Sequence, residues 1–91
     1  MAWYVYIIRA SDDSLYTGVT TDVERRFAEH CSPAKGARYF RGRKPQEVVY
    51  TESLPDRSSA LRREAAIKKL KKGGKLELIG QNTIKPPGRP C

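Results

Sequence analysis

The sequence predicts one small α/β (α+β) domain, and three observations carry that reading. Two strand-like runs are joined by turn residues, a capped amphipathic segment follows the second of them, and a further strand-like run precedes a second helical segment. With 91 residues the chain has room for one modest core, burying roughly 60% of its unfolded surface. A second domain does not fit.

"WYVYII" is aromatic and β-branched over six residues, as a buried strand is, and "ASDDS" supplies turn residues before "LYTGVT" resumes strand character. The two runs read as a hairpin. If its connection is about five residues long, Tyr6 faces Gly18 and Tyr16 faces Ile8, which puts both tyrosines and the glycine on one side of the sheet. An even connection would separate the tyrosines.

Thr21-Asp22-Val23-Glu24 has the Thr-x-x-Glu form of a capping box, so a helix is expected from about Asp22 to Cys31, broken at Pro33. Within it Val23, Arg26, Phe27 and His30 recur at i, i+3, i+4 and i+7 and share one face. An arginine turned inward needs an anion, which suggests a phosphate site. The alternative is that Arg26 snorkels past Phe27 and that His30 is a satisfied boundary histidine.

"ARYFRGR" is a short basic segment, and "KPQEVVYTESL" returns to strand pattern. Pro55-Asp56-Arg57-Ser58 opens a second helix whose apolar side holds Ala60, Leu61, Ala65, Ala66, Ile67 and Leu70, running to about Lys72 and ended by Gly73-Gly74. Glu64 sits on or at the edge of that side and needs a partner, either a divalent cation or Lys68 one turn on. "KLELIG" reads as a short helix covering the sheet. Residues 82–91 have the proline and glycine content of a flexible tail beyond a domain spanning 1–81.

Lysine and arginine number 18 against 10 acids, a formal charge of +8 that favours a polyanionic partner such as nucleic acid. "KGARYFRGRK" interleaves cations with Tyr39 and Phe40, a composition suited to gripping a backbone while stacking on bases, and marks Lys35, Arg38, Tyr39, Arg41 and Arg43 as contacts. Lys68 belongs to a second cationic cluster. Nothing resembles a base-reading module, so a structural rather than a sequence preference is expected. No apolar run reaches the roughly 18 residues that a membrane span needs, and the start lacks a signal peptide's pattern. Cys31 and Cys91 form neither a metal knuckle nor a disulfide framework, so a reducing, cytoplasmic location is expected.

Tyr4-Val5-Tyr6, then Tyr16-Thr17-Gly18, Arg26, His30 and Glu64 in "ALRREAAIKKL" resemble the GIY-YIG nuclease superfamily in its stand-alone, single-domain bacterial form. Their order is specific, with ten residues from Tyr16 to Arg26 and four more to His30. Tyr4 stands in place of the first motif's glycine and Thr17 in place of the second's isoleucine. The resemblance implies a three-stranded antiparallel sheet flanked by helices and a metal-dependent DNA endonuclease, linked to DNA repair or processing. Tyr6, Tyr16, Arg26, His30 and Glu64 would be its catalytic residues, with Glu64 binding one divalent cation, Mg2+ or Mn2+. Gly18 would allow phosphate or the Tyr6 ring close approach. DNA, or RNA, would be the partner, with a protein partner as a source of specificity. The alternative is a nucleic-acid-binding module with this fold and little catalysis.

Overall fold

The computed structural model describes residues 2–32 and 42–81. Three strands, β1 (Trp3–Ala10), β2 (Leu15–Thr20) and β3 (Pro45–Leu54), and three helices, α1 (Val23–Cys31), α2 (Arg57–Lys68) and α3 (Lys72–Gln81), follow one another as β1-β2-α1-β3-α2-α3. The strands form an antiparallel sheet, as expected, and their order is β2-β1-β3. β1 lies in the centre because it has paired neighbours on both sides, and its residues Val5 to Ile8 are all buried.

The hairpin register is the odd one: Tyr6 pairs with Gly18 and Ile8 with Tyr16. Side chains alternate along a strand, so Tyr4, Tyr6, Ile8, Tyr16, Gly18 and Thr20 share one face. Phe27 of α1 packs there with Tyr6, Ile8 and Val48, flanked by Tyr16 and Val23. On the other face Val5, Ile7 and Tyr50 form a core with Ala60 and Ile67 of α2, against which Leu78 and Ile79 of α3 pack. Between β1 and β3 the register shifts after Ile7, which pairs with Tyr50 while Ile8 pairs with Val48. This irregularity keeps Tyr50 on the α2 side and Val48 on the α1 side.

Three expectations are corrected. The cap of α1 is Asp22, whose Oδ1 accepts from the Arg25 amide at 3.0 Å, rather than Thr21. Thr20 Oγ1 accepts from the Asp22 amide at 3.1 Å, so the strand end itself presents Asp22 to the helix. Second, α2 ends at Lys68, and Gly73 and Gly74 lie inside α3 instead of terminating α2. Third, the apolar side of α2 is narrow: Ala60 and Ile67 are buried, whereas Leu61, Ala65, Ala66 and Leu70 are exposed. Asp56 caps this helix by accepting from the Ser59 amide at 2.7 Å.

Thr17, buried on the α2 face, has a hydroxyl without a hydrogen-bond partner. The residue in the middle of the second motif therefore points away from the tyrosines and serves packing. The break at Pro33, the basic residues Lys35, Arg38, Tyr39 and Arg41, and the tail from 82 to 91 lie outside the described residues.

The two candidate caps are separable by mutation. Asp22→Ala is expected to lower stability by about 1 kcal/mol and Thr21→Ala by much less, measured by urea unfolding. Equal losses would restore the threonine cap.

Candidate active site

Three rings meet on the α1 face of the sheet. Tyr6 is 1% exposed and its Oη lies 2.9 Å from His30 Nε2, so the hairpin's first strand and the last turn of α1 are joined by a buried hydrogen bond. Tyr16 completes the group, its ring centroid 5.1 Å from that of His30 in an edge-on arrangement and 6.3 Å from that of Tyr6. Tyr16 is half-buried, so of the two tyrosines it is the one open to solvent.

Gly18 is what lets Tyr6 occupy this position. A Cβ at residue 18 would lie 2.6 Å from Tyr6 Oη and 2.7 Å from Cζ, closer than side-chain atoms tolerate. The pairing with Tyr6 is regular at this point of the hairpin, so Gly18 marks a close approach and not a bulge. Of the two groups expected to exploit its missing side chain, the Tyr6 ring fills the space.

Burial governs the electrostatics. It pushes the His30 pKa down to about 4, with the positive charge of Arg26 adding to the effect and Glu29 opposing it. The imidazole is therefore neutral at ordinary pH and offers one ring nitrogen as an acceptor. The Tyr6 phenol is pushed up, first by burial and then by Tyr16, with Arg26 pulling the other way and Glu64 adding a smaller upward push. In this state Tyr6 keeps its proton.

Arg26, one turn before His30, is turned inward as the helix spacing implies, and its side chain is 30% exposed. Its present anion is Glu29, whose Oε1 accepts from Nη1 at 2.9 Å. The sequence reading missed Glu29, although its place three residues after Arg26 was a usable signal. Glu64 reaches the site from α2, close enough for its charge to act on Tyr6; its carboxylate is 19% exposed and 3.5 Å from Lys68 Nζ.

Two proposed contacts fall elsewhere or are already engaged. Arg43 is at the hairpin turn, 3.4 Å from Asp12 Oδ2 and donating to Ser14 Oγ at 3.3 Å. Lys68 is held by Glu64. No group of three or more His, Cys, Asp or Glu side chains that could hold a metal exists among the described residues, and the ligand the sequence suggests is the Glu64 carboxylate. That donor set fits Mg2+ or Mn2+, which retain waters and take one or two carboxylates together with substrate phosphates; it does not fit zinc.

A sheet-borne tyrosine pair over a glycine thus lies with histidine and arginine from one helix, with the charge of a glutamate from another within reach. The match to the GIY-YIG catalytic domain spans residues 2–77, and the chain belongs to the GIY-YIG family. It is 53% identical over 78 residues to a UPF0213 protein of Desulfotalea psychrophila, covering 86% of this chain and 71% of that one. It is 46% identical over 79 residues to the UPF0213 protein YhbQ of Escherichia coli K12, covering 87% and 78% of the respective chains. A solution NMR structure of a UPF0213 protein from Bacillus halodurans shares the fold, with a TM-score of 0.58 and 43% identity, covering 90% of this chain and 86% of that one. No helix of the described residues is long and apolar enough to cross a membrane.

The space at Gly18 gives a direct test. Gly18→Ala should displace the Tyr6 ring, lower stability by roughly 1–3 kcal/mol in urea unfolding, and remove the NMR signature of the Tyr6–His30 hydrogen bond. Unchanged stability with the bond intact would show that residue 18 is free to carry a side chain.

Proposed function

We propose that the protein is a metal-dependent DNA endonuclease that hydrolyses phosphodiester bonds, selects DNA by structure more than by sequence, and serves DNA repair or processing in the cytoplasm. The observation that carries this reading is the convergence of Tyr6, Tyr16 and His30 with Arg26 behind them and the charge of Glu64 within reach.

Hydrolysis requires a water aligned opposite the leaving oxygen and positive charge around the phosphate. Arg26 is the phosphate ligand: its guanidinium exchanges the Glu29 carboxylate for a phosphate oxygen, one charge-assisted hydrogen bond for another. Tyr16, open to solvent, orients the attacking water. Tyr6 keeps its proton and, through its hydrogen bond to the neutral His30 imidazole, holds both rings in place beside that water. Glu64 would hold the cation, Mg2+ or Mn2+, which supplies positive charge to the non-bridging oxygens and lowers the pKa of hydroxyls nearby. Lys68, released from Glu64, then has its ammonium free for the DNA backbone.

Arg43, together with Lys35, Arg38, Tyr39 and Arg41 outside the described residues, extends the contact to flanking nucleotides of DNA or of RNA. Gly18 contributes by seating Tyr6. A protein partner is a further source of specificity, since none of these groups reads base edges. A second reading, a binding module with little catalysis, is favoured by one observation: Arg26 and Glu64 are both already paired, with Glu29 and Lys68.

Cleavage of single-stranded, duplex, flapped and branched DNA with Mg2+ or Mn2+ separates the two. Glu64→Ala is expected to abolish cleavage, and Arg26→Ala to slow it at least about a hundredfold. Salt-sensitive DNA binding without cleavage by the wild type on any substrate would select the binding module.

A further inference from the structure

Glu64 sits on a helix whose buried apolar contact with the sheet is narrow. Only Ala60 and Ile67 of α2 are buried. At about 100° per residue Ile67 falls nearly under Ala60, with Arg63 about 60° to one side of this seam and Glu64 about 40° to the other. A two-residue seam leaves the roll of the helix to contacts on its flanks, and near its N-terminus Arg57 lies over the Trp3 ring of β1, 5.9 Å from its centroid.

A polar contact on the Arg63 flank opposes that roll. Arg63 Nε donates to both carboxylate oxygens of Glu52 on β3, at 3.2 and 3.0 Å. The Tyr50 hydroxyl donates to Glu52 Oε1 at 2.6 Å, so the acceptor is itself held. Tyr50 is 6% exposed and belongs to the core with Ala60 and Ile67. The alternation "VYTE" puts Tyr50 and Glu52 on the α2 face, and β3 is the edge strand opposite β2. One flank of α2 is thus anchored to β3 while Glu64 emerges on the flank away from that anchor.

We infer that the Tyr50–Glu52–Arg63 contact is a positioning clamp that fixes the roll of α2 and thereby aims the Glu64 carboxylate at its cation. This rests on the reading of Glu64 as the metal ligand. Tyr50, Glu52 and Arg63 touch neither metal nor DNA; they act through the helix. The clamp lies on the face of the sheet opposite Tyr6 and His30, so its loss leaves their hydrogen bond in place.

The experiment compares wild type with Tyr50→Phe, Glu52→Gln, Arg63→Met and Arg63→Lys. Manganese affinity is read by electron paramagnetic resonance, and NOEs from the Ala60 and Ile67 methyl groups to the sheet are recorded in metal-free protein. Glu52→Gln and Arg63→Met should weaken manganese binding about tenfold, as loss of a group supporting a ligand does. They should also alter the NOE pattern and lower kcat without raising KM for DNA. Arg63→Lys should recover part of the affinity. Should Arg63→Met fail to fold, the milder Glu52→Gln and Tyr50→Phe decide. Unchanged NOEs and manganese affinity in folded variants, whatever their melting temperature, would overturn the clamp. Manganese binding by Glu64→Ala equal to wild type would instead overturn the metal assignment, while altered NOEs in the clamp variants would still stand for the roll.

Discussion

The packing of the Tyr6 ring over Gly18 is the constraint on which the rest of the site depends. It requires the odd hairpin register, because a shift of one residue would put Tyr6 and Gly18 on opposite faces. It brings the Tyr6 hydroxyl to His30 Nε2, at 2.9 Å, and so determines where the last turn of α1 must lie. Arg26, one turn earlier on the same helix face, follows from that placement. A side chain at residue 18 would therefore disturb Tyr6, His30 and Arg26 at once.

The sheet works as a partition. The tyrosines, histidine and arginine occupy the face covered by α1, while α2 on the other face contributes a carboxylate whose field reaches Tyr6. Each charged group is compensated before substrate arrives: Arg26 by Glu29 and Glu64 by Lys68. These pairs are partly exposed, so each contributes little to stability and costs little to exchange. Under the proposed function, these are partners that can be released to a polyanion and a cation. The buried Tyr6–His30 pair is different, because burial makes both groups neutral and keeps their hydrogen bond insensitive to salt.

Much of this was legible in the sequence where local chemistry decided the outcome. The five residues between the paired Arg9 and Leu15 determine the faces of Tyr6, Tyr16 and Gly18, and helical spacing puts Arg26 and His30 inward. Local signals failed where tertiary contacts chose between them. Thr21 and Asp22 are both competent caps, and the turn made by Thr20 at the end of β2 selects the aspartate. Leu61, Ala65, Ala66 and Leu70 looked like a core stripe, but α2 meets the sheet through Ala60, Ile67 and the polar Arg63, leaving the others outside. Gly73 and Gly74 looked like a terminator, yet α3 continues through them because Leu78 and Ile79 dock on the core, and packing outweighs a propensity cost of about 1 kcal/mol per glycine. Glu52 gave no signal at all, since its importance comes from Arg63, eleven residues away.

His30 is the chain's only histidine, so its titration can be followed by NMR without ambiguity. If Tyr6, seated by Gly18, buries and bonds the imidazole as described, the ring stays neutral through ordinary pH and its signals move with a midpoint near 4. A midpoint near the unperturbed value of about 6.5 would mean that the ring is solvated and that the Tyr6–His30 contact does not organise the site.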